Sequence, residues 1–171
     1  MNEMKQIYVA KLTLNVGAGR NTRKLEKGKR LIENLTGTEP VTTKAKKRIQ
    51  GWKLRPGLPI GTKLTLRGQE ARDILKRVLY ASENKLKESN FDKHGNISFG
   101  VKEYVDVEGM EYDTKIGMMG FQVSVTLERP GYRIKKRKIK TKKLPDSHRI
   151  TQEEAIEYMK DNFNVKLKGE Q

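Results

Sequence analysis

Hydrophobic and polar residues alternate along three stretches of the chain, a pattern typical of β-strands that bury one face. Residues 7–16 predict the first of these strands, residues 62–67 the second and residues 121–128 the third. Shorter runs at residues 41–44 and 97–101 predict two further strands. In the first strand the predicted buried positions are Tyr8, Ala10, Leu12, Leu14 and Val16.

Three other stretches repeat their apolar residues at intervals of three and four, as amphipathic helices do. They predict helices over residues 22–36, 69–88 and 152–163, the first ended by a glycine and the last opened by a capping box of Thr151 and Glu154. Strands and helices in this order predict an α+β fold. We expect a single domain, residues 1–171, with an antiparallel sheet, helices packed on one face and a polar second face.

Long loops complete this prediction. Residues 44–60 predict a mobile basic loop and residues 129–149 a basic C-terminal arm. Residues 102–120 are first acidic and then rich in glycine and methionine, which predicts a long mobile loop without a regular element.

Composition narrows the class of protein. The chain has no cysteine, which excludes disulfides, thiolate metal sites and cysteine nucleophiles. No apolar run is long enough to span a bilayer, and the N-terminal residues lack the layout of a signal peptide. We therefore expect an intracellular protein.

The position of the positive charge is more informative than the net charge of +16. Residues 40–69 hold eight Lys and Arg and no acidic residue, and residues 129–149 hold ten against the single Asp146. The other 120 residues are nearly neutral, with 19 basic and 20 acidic side chains. Concentrated basic blocks that include Trp52 and Tyr132 favour a nucleic-acid partner over an ordinary solvated surface.

The basic residues fall in loops and on strands, and no recognition helix is visible, which favours RNA over DNA. Outward Lys, Thr, Asn and Arg side chains on the first two alternating strands predict a shared polar surface for it. The candidate RNA-binding residues are Lys11, Thr13, Asn15, Thr43, Lys44, Lys46, Lys47, Arg48, Lys63, Thr65 and Arg67. The second basic patch comprises Arg133, Lys135, Lys136, Arg137 and Lys138.

Other sites are less well supported by the sequence. Gly17-Ala18-Gly19 lacks the third glycine of a dinucleotide fingerprint and is better interpreted as a tight turn or a backbone phosphate contact. His94 and His148 are far apart in sequence and favour ordinary surface roles. The carboxylates of residues 106–113 match no calcium loop, and their alternatives are a solvated acidic loop or a surface that docks a basic protein.

Four motifs together resemble one family: LNVGAG at residues 14–19, PVTTKAKKRI at 40–49, KLRPGLPIGTKLTLRG at 53–68 and FDKHGNISFGVKEY at 91–104. The family is the universal large-subunit ribosomal protein five, whose members bind 5S ribosomal RNA. RPGYRI at residues 129–134, followed by HRIT and EEA, resembles its archaeal and eukaryotic branch. The resemblance covers nearly the whole chain.

The resemblance implies a structural protein of the cytoplasmic ribosome, with no enzymatic activity, cofactor or metal. Implied partners are 5S rRNA, large-subunit rRNA, P-site tRNA and other ribosomal proteins, including a small-subunit protein that it bridges. By motif match, Asn15 and Thr65 are implied RNA-binding residues, and the basic loop is implied to reach the tRNA through Gln50, Trp52, Lys53 and Arg55. Trp52 either stacks on RNA or anchors the loop to its own sheet.

Two alternatives of another class remain open from the residues. One is an RNA-processing enzyme that holds a metal on its acidic loop, and the other is an independent single-strand-binding module. The chain also departs from many relatives at Gly37-Thr38-Glu39-Pro40, where they have Gly-Gln-Lys-Pro, so the implied glutamine contact is not expected here.

Overall fold

The computed structural model describes residues 2–168 and has a five-stranded antiparallel sheet at its centre. In chain order its strands are β1 (Tyr8–Gly17), β2 (Val41–Lys44), β3 (Pro59–Leu66), β5 (Asn96–Val101) and β6 (Phe121–Glu128). Across the sheet they are arranged β2-β3-β1-β6-β5. A separate two-stranded parallel sheet pairs β4 (Lys85–Leu86) with β7 (Lys166–Leu167). All five predicted strands are present, and the α+β fold class is confirmed. The predicted domain limits, residues 1 and 171, lie outside the described residues.

Three helices lie on one side of the sheet: α1 (Thr22–Thr36), α2 (Gly68–Tyr80) and α3 (Gln152–Phe163). Asn21 caps α1 by accepting a hydrogen bond from the Lys24 N–H at 3.1 Å, and Gly37 ends it in a left-handed conformation. The predicted capping box of Thr151 and Glu154 is present at the start of α3. No helix within residues 2–168 is long and apolar enough to cross a membrane.

The core lies between these helices and the inner face of the sheet. Leu12 and Leu14 of the central strand β1 are completely buried, as are Leu31 and Ile32 of α1 and Leu75 of α2. Because each strand alternates between two environments, every apolar residue that faces the helices leaves a polar neighbour facing away from them. The core therefore determines which side chains the opposite face presents.

The buried face of β1 differs from the prediction at its start. A β-bulge between Val9 and Lys11 inserts Ala10 as an extra residue opposite β6. Val9 is consequently buried and Tyr8 exposed, which reverses the predicted orientation at these two positions. From Leu12 onward the predicted alternation holds.

The second helix is shorter than predicted. It ends at Tyr80 because Glu83 and Asn84 both adopt a left-handed conformation with φ of 54°, and the Asn84 N–H turns back to bond the Leu79 carbonyl at 3.0 Å. Leu86, which continues the helical spacing in the sequence, instead belongs to β4 and is buried there. Leu86 therefore fits the helical spacing of apolar residues although it does not belong to the helix.

The acidic loop, residues 102–120, has no regular element beyond a short 3₁₀ turn at Tyr104–Asp106. It is nevertheless anchored to the body of the protein. The buried Tyr104 hydroxyl accepts a hydrogen bond from the Asp113 N–H at 2.8 Å, and the Arg77 Nε of α2 donates to the Glu108 carbonyl at 2.9 Å. Ile116 is also buried, so the loop is part of the packed domain.

The second basic segment, residues 129–149, is fastened at both ends. Arg129 is only 5% exposed, and its guanidinium donates to the Glu154 carboxylate of α3 at 2.7 Å. The buried Tyr132 hydroxyl accepts a hydrogen bond from the Ile150 N–H at 3.0 Å. The segment predicted as an arm is therefore a loop that begins and ends on the domain.

The Arg129–Glu154 ion pair should make stability depend on pH. Burial alone would raise the pKa of the Glu154 carboxyl, but hydrogen bonds from the Thr151 backbone and the Arg129 guanidinium outweigh it and lower the pKa below its ordinary value. A carboxyl with a lowered folded-state pKa stabilises the fold above its unfolded pKa, about 4.3. That contribution is lost as the pH falls through the folded-state pKa.

We expect Glu154→Gln to lower the free energy of unfolding by about 1.5–3 kcal/mol at pH 7, because it leaves the buried Arg129 without its carboxylate. Urea unfolding at pH 7 and near pH 3 measures the effect, and the difference from wild type should shrink at the lower pH. Glu153→Gln, an exposed neighbour, is the matched control. An equal loss at both pH values would contradict this account.

Gly28 allows α1 to approach the sheet closely. A Cβ atom there would lie 2.8 Å from Val16 Cγ1 and 3.3 Å from Thr62 Oγ1. Helix propensity alone predicts that Gly28→Ala stabilises α1 by about 1 kcal/mol. We expect thermal unfolding to show the opposite sign, a loss of roughly 1–3 kcal/mol from overpacking. The loss should be smaller in a Val16→Ala background, and additive effects would contradict the proposed clash.

Candidate nucleic-acid interface

The face of the sheet opposite the helices presents rows of polar side chains that run across the strands. One row joins Thr65, Thr13, Ser124 and Ser98, which are register partners on β3, β1, β6 and β5. On one side of this row lies a second row of Lys63, Asn15 and Gln122, and on its other side lies a third row of Lys11, Thr126 and Asn96. We call this surface the polar platform: Lys11, Thr13, Asn15, Lys63, Thr65, Asn96, Ser98, Gln122, Ser124 and Thr126.

Adjacent side chains of the polar platform are paired with one another. Asn15 Nδ2 donates to Gln122 Oε1 at 3.0 Å, and the hydroxyl oxygens of Ser98 and Ser124 lie 3.3 Å apart. The hydroxyls of Thr13 and Thr65 approach to 3.5 Å. Each pair uses only part of its hydrogen-bonding capacity, since an amide offers two donors and a hydroxyl two acceptor lone pairs. The platform is therefore held in place while donors and acceptors remain for a ligand.

Neighbouring strands lie about 4.8 Å apart and alternate outward residues about 6.8 Å apart along a strand. The three rows thus cover roughly 14 Å in each direction. An array of neutral donors and acceptors that also carries lysines suits the 2′-hydroxyls and base edges of an RNA minor groove.

Between β2 and β3 the chain forms a short hairpin, residues 45–58, which we call the finger. Ile49 and Leu54 pair through two backbone hydrogen bonds of 3.0 and 3.1 Å, and Ala45 bonds Leu58 at the base. Leu54 is buried at 6% exposure, although most of the finger around it is exposed.

Trp52 lies at the tip of the finger and is 70% exposed. The tryptophan does not anchor the loop, so the sequence-based alternative that placed it against its own sheet is wrong. An exposed indole next to Lys53 and Arg55 is a suitable surface for stacking a base.

The structure divides the predicted RNA-binding residues of this region into two groups. Lys63 and Thr65 lie on the polar platform, and Thr43 is the register partner of Gly61 at its β2 edge. Arg67 is exposed and directly follows β3. The second group belongs to the finger: Lys46 and Lys47 are exposed on its first arm, and Arg48 lines a cleft with Gln50, Lys53 and Arg55. Lys44, exposed at the end of β2, lies between the groups.

The second basic patch borders the platform on its β5–β6 side. A cleft of about 370 Å³ has Asn96 and Thr126 among its lining residues together with Lys135, Lys143 and Arg149. Lys135 also lies over the Tyr132 ring, with Nζ 4.8 Å from the ring centroid. Not every lysine of the predicted patch is available to a ligand, because Lys136 forms an ion pair with the buried Glu128. Arg133, Arg137 and Lys138 are exposed.

The alternation of residues 121–128 predicted β6 with one face buried, but the sequence did not assign its outward residues to the interface. Gln122 and Ser124 become candidates only because β6 pairs with β1, which sets them beside Asn15 and Thr13. Ser98 and Asn96 of β5 follow by the same register. Alternation indicated which residues face outward, whereas strand order determined which of them are neighbours.

The glycine turn after β1, the two histidines and the acidic loop do not form a binding site among the described residues. The N–H groups of Ala18 and Gly19 both donate to the Ile60 carbonyl at 2.9 Å, so they are not available to a phosphate. His148 Nε2 is bonded to the Pro130 carbonyl at 2.8 Å, and His94 is exposed in a turn. In the part of the chain that the structure describes, no three His, Asp or Glu side chains are grouped to hold a metal ion.

Two family models match the chain in sequence order. Residues 2–55 match ribosomal protein L5, and residues 59–158 match the C-terminus of the same ribosomal protein family. Together these models cover most of the domain, including the five-stranded sheet, most of the finger and most of α3.

Several archaeal proteins are similar along nearly their whole length. The large ribosomal subunit protein uL5 of Methanosphaera stadtmanae is 46% identical over 167 residues, which are 98% of this chain and 99% of the relative. The proteins of the same name from Sulfolobus acidocaldarius and Nanoarchaeum equitans are 48% and 46% identical over 97% and 96% of this chain, and 93% and 97% of their own lengths. These matches confirm the resemblance drawn from the motifs.

Because Trp52 is the single tryptophan, its fluorescence reports on the finger alone. We expect emission close to that of free tryptophan in water, with strong quenching by iodide, since the indole is 70% exposed. Leu54→Ala should leave the emission wavelength unchanged while loosening the finger, which hydrogen exchange of the Ile49 amide measures. A blue-shifted emission that iodide does not quench would contradict the exposed position.

Proposed function

The chain belongs to the ribosomal protein L5 family of structural, non-enzymatic large-subunit proteins, and we propose that it holds 5S rRNA on its polar platform and contacts P-site tRNA with its finger. The platform carries this proposal. Its neutral side chains are preordered in pairs such as Asn15 with Gln122, and they retain donors and acceptors for 2′-hydroxyls. An array of this kind on a sheet face has no use in the core, which lies on the other side.

The charges around the platform match the same role. Lys11 and Lys63 stand on it, and Lys135 lies in the cleft that begins at its β5–β6 side. Lysines at the margin of a neutral array neutralise phosphates while the centre reads sugars and bases. The protein would thus bind a folded RNA by its shape more than by its sequence.

The finger is suited to a second, separate contact. It projects between β2 and β3 with an exposed aromatic tip, and it carries Lys46, Lys47, Arg48, Lys53 and Arg55 without an acidic residue. A structure with these features can follow a flexible or rounded RNA surface such as a tRNA elbow. The family resemblance adds contacts to large-subunit rRNA and a bridge to a small-subunit protein.

We expect Asn15→Ala to weaken binding of 5S rRNA about tenfold. The change removes the neutral side-chain amide of Asn15, and it also removes the hydrogen bond that positions Gln122. Arg55→Ala should leave 5S rRNA binding within about twofold and weaken tRNA binding instead. Filter binding of 5S rRNA, tRNA and a size-matched RNA over a salt series measures these effects. Binding should fall with salt by about 0.7–0.9 in log–log slope per neutralised phosphate.

Asn34→Ala and Arg30→Ala are matched controls, since both residues are exposed on α1, away from the platform and the finger. Equal losses of 5S rRNA binding in Asn15→Ala and Arg55→Ala would contradict the division into two surfaces. A wild-type protein that binds the size-matched RNA as well as 5S rRNA would overturn the proposed function and favour an independent RNA-binding module.

A further inference from the structure

Four cations from two separate parts of the chain line one cleft along the side of the finger. Arg48, Lys53 and Arg55 belong to the finger, whereas Arg20 comes from the turn that follows β1. The cleft has a volume of about 600 Å³ and no acidic residue in its lining. Arg20 is the member that no motif or composition argument singled out.

The structure fixes Arg20 in this place. The Ala18 and Gly19 amides both bond the Ile60 carbonyl at 2.9 Å, which ties the turn to the start of β3. Gly61 permits this approach, because a Cβ atom there would lie 2.7 Å from the Val16 carbonyl oxygen. Arg20 therefore borders the finger as a consequence of tertiary packing between β1 and β3.

The arrangement of the cations works against the stability of the finger. Arg48 and Arg55 flank the Ile49–Leu54 bridge on its two arms, where like charges repel. Lys53 adopts a left-handed conformation with φ of 52°, which costs roughly 1 kcal/mol for a residue other than glycine. Among residues 2–168 none of the four cations takes part in an ion pair. The cleft thus concentrates four exposed positive charges with no acidic partner among residues 2–168.

The remaining lining suits a phosphate. Leu54 and Leu58 supply apolar surface beside the cations. The Gln50 amide offers uncharged donors beside the guanidinium groups, which are well matched to phosphate oxygens. The openness of the cleft to solvent permits a phosphate that remains part of a chain.

We propose that this cleft binds one phosphate group of an RNA backbone and that Arg20 is a binding residue of the site. The inference rests on the proposed function only in taking RNA as the source of the phosphate. The same chemistry would serve a phosphate of tRNA or one of 5S rRNA, and the test below separates the two. The finger thereby becomes one wall of a site whose other wall is the turn after β1.

The test compares Arg20→Gln with Arg30→Gln, which removes the same charge from an exposed position on α1. We expect Arg20→Gln to lower affinity for one RNA about tenfold and to reduce its salt slope by about 0.7–0.9, the contribution of one phosphate contact. Arg30→Gln should stay within about twofold of wild type. A loss confined to tRNA assigns the phosphate to tRNA, and a loss confined to 5S rRNA assigns it to 5S rRNA. If Arg20→Gln and Arg30→Gln behave alike with both RNAs, the proposal is wrong.

A second measurement does not depend on the proposed function. NMR of the arginine Nε–Hε groups during titration with inorganic phosphate should shift Arg20 and Arg55 at concentrations that leave Arg30 unshifted. If the wild-type protein shows no preference for either RNA, the proposed function fails, but selective shifts at Arg20 would still support the phosphate cleft. Equal shifts at Arg20 and Arg30 would overturn the cleft whatever the RNA measurements show.

Discussion

The coverage of only one sheet face by helices is the constraint on which the rest of the structure depends. Leu12 and Leu14 on the central strand β1 are completely buried against the helix layer, and burying each such side chain contributes about 1.5–3 kcal/mol. Because side chains alternate, the same packing turns Thr13 and Asn15 to the opposite face. A register slip of one residue would exchange the two faces, so the hydrophobic core also maintains the polar platform.

The basic residues fall into two physical classes. Arg129 and Lys136 are paired with Glu154 and Glu128, and Arg77 bonds the carbonyls of Leu35 and Glu108, so these cations hold loops to the domain. The second class, on the platform and in the finger, has no acidic partner within residues 2–168. Internal pairing thus identifies the cations that stabilise the fold, and the unpaired cations of the platform and the finger lie where RNA binding is proposed.

The loops are held firmly enough to present these charges at defined positions. Tyr104 and Tyr132 each bury a hydroxyl that accepts a backbone N–H across a loop, and backbone hydrogen bonds between Ala45 and Leu58 and between Ile49 and Leu54 hold the finger. Anchoring at a few points lets long, polar segments follow the surface without a core of their own. The RNA-facing surfaces are therefore built on the same domain that the core stabilises.

The sequence by itself determined the class of fold, the two basic segments and the family. Alternation along residues 121–128 and the capping box at Thr151 are local signals, and the structure reproduces them. Long-range packing decided where the structure departs from the sequence pattern. The bulge at Ala10 reversed the faces of Tyr8 and Val9, and Leu86 is buried in β4 because a turn ends α2 before it. Tertiary structure also decided which outward residues are neighbours, since the pairing of β1 with β6 sets Gln122 beside Asn15, and the contact of β1 with β3 brings Arg20 to the finger. The physical reason is that periodicity reports the environment of a residue, whereas neighbours distant in the chain are fixed only when the strands pair.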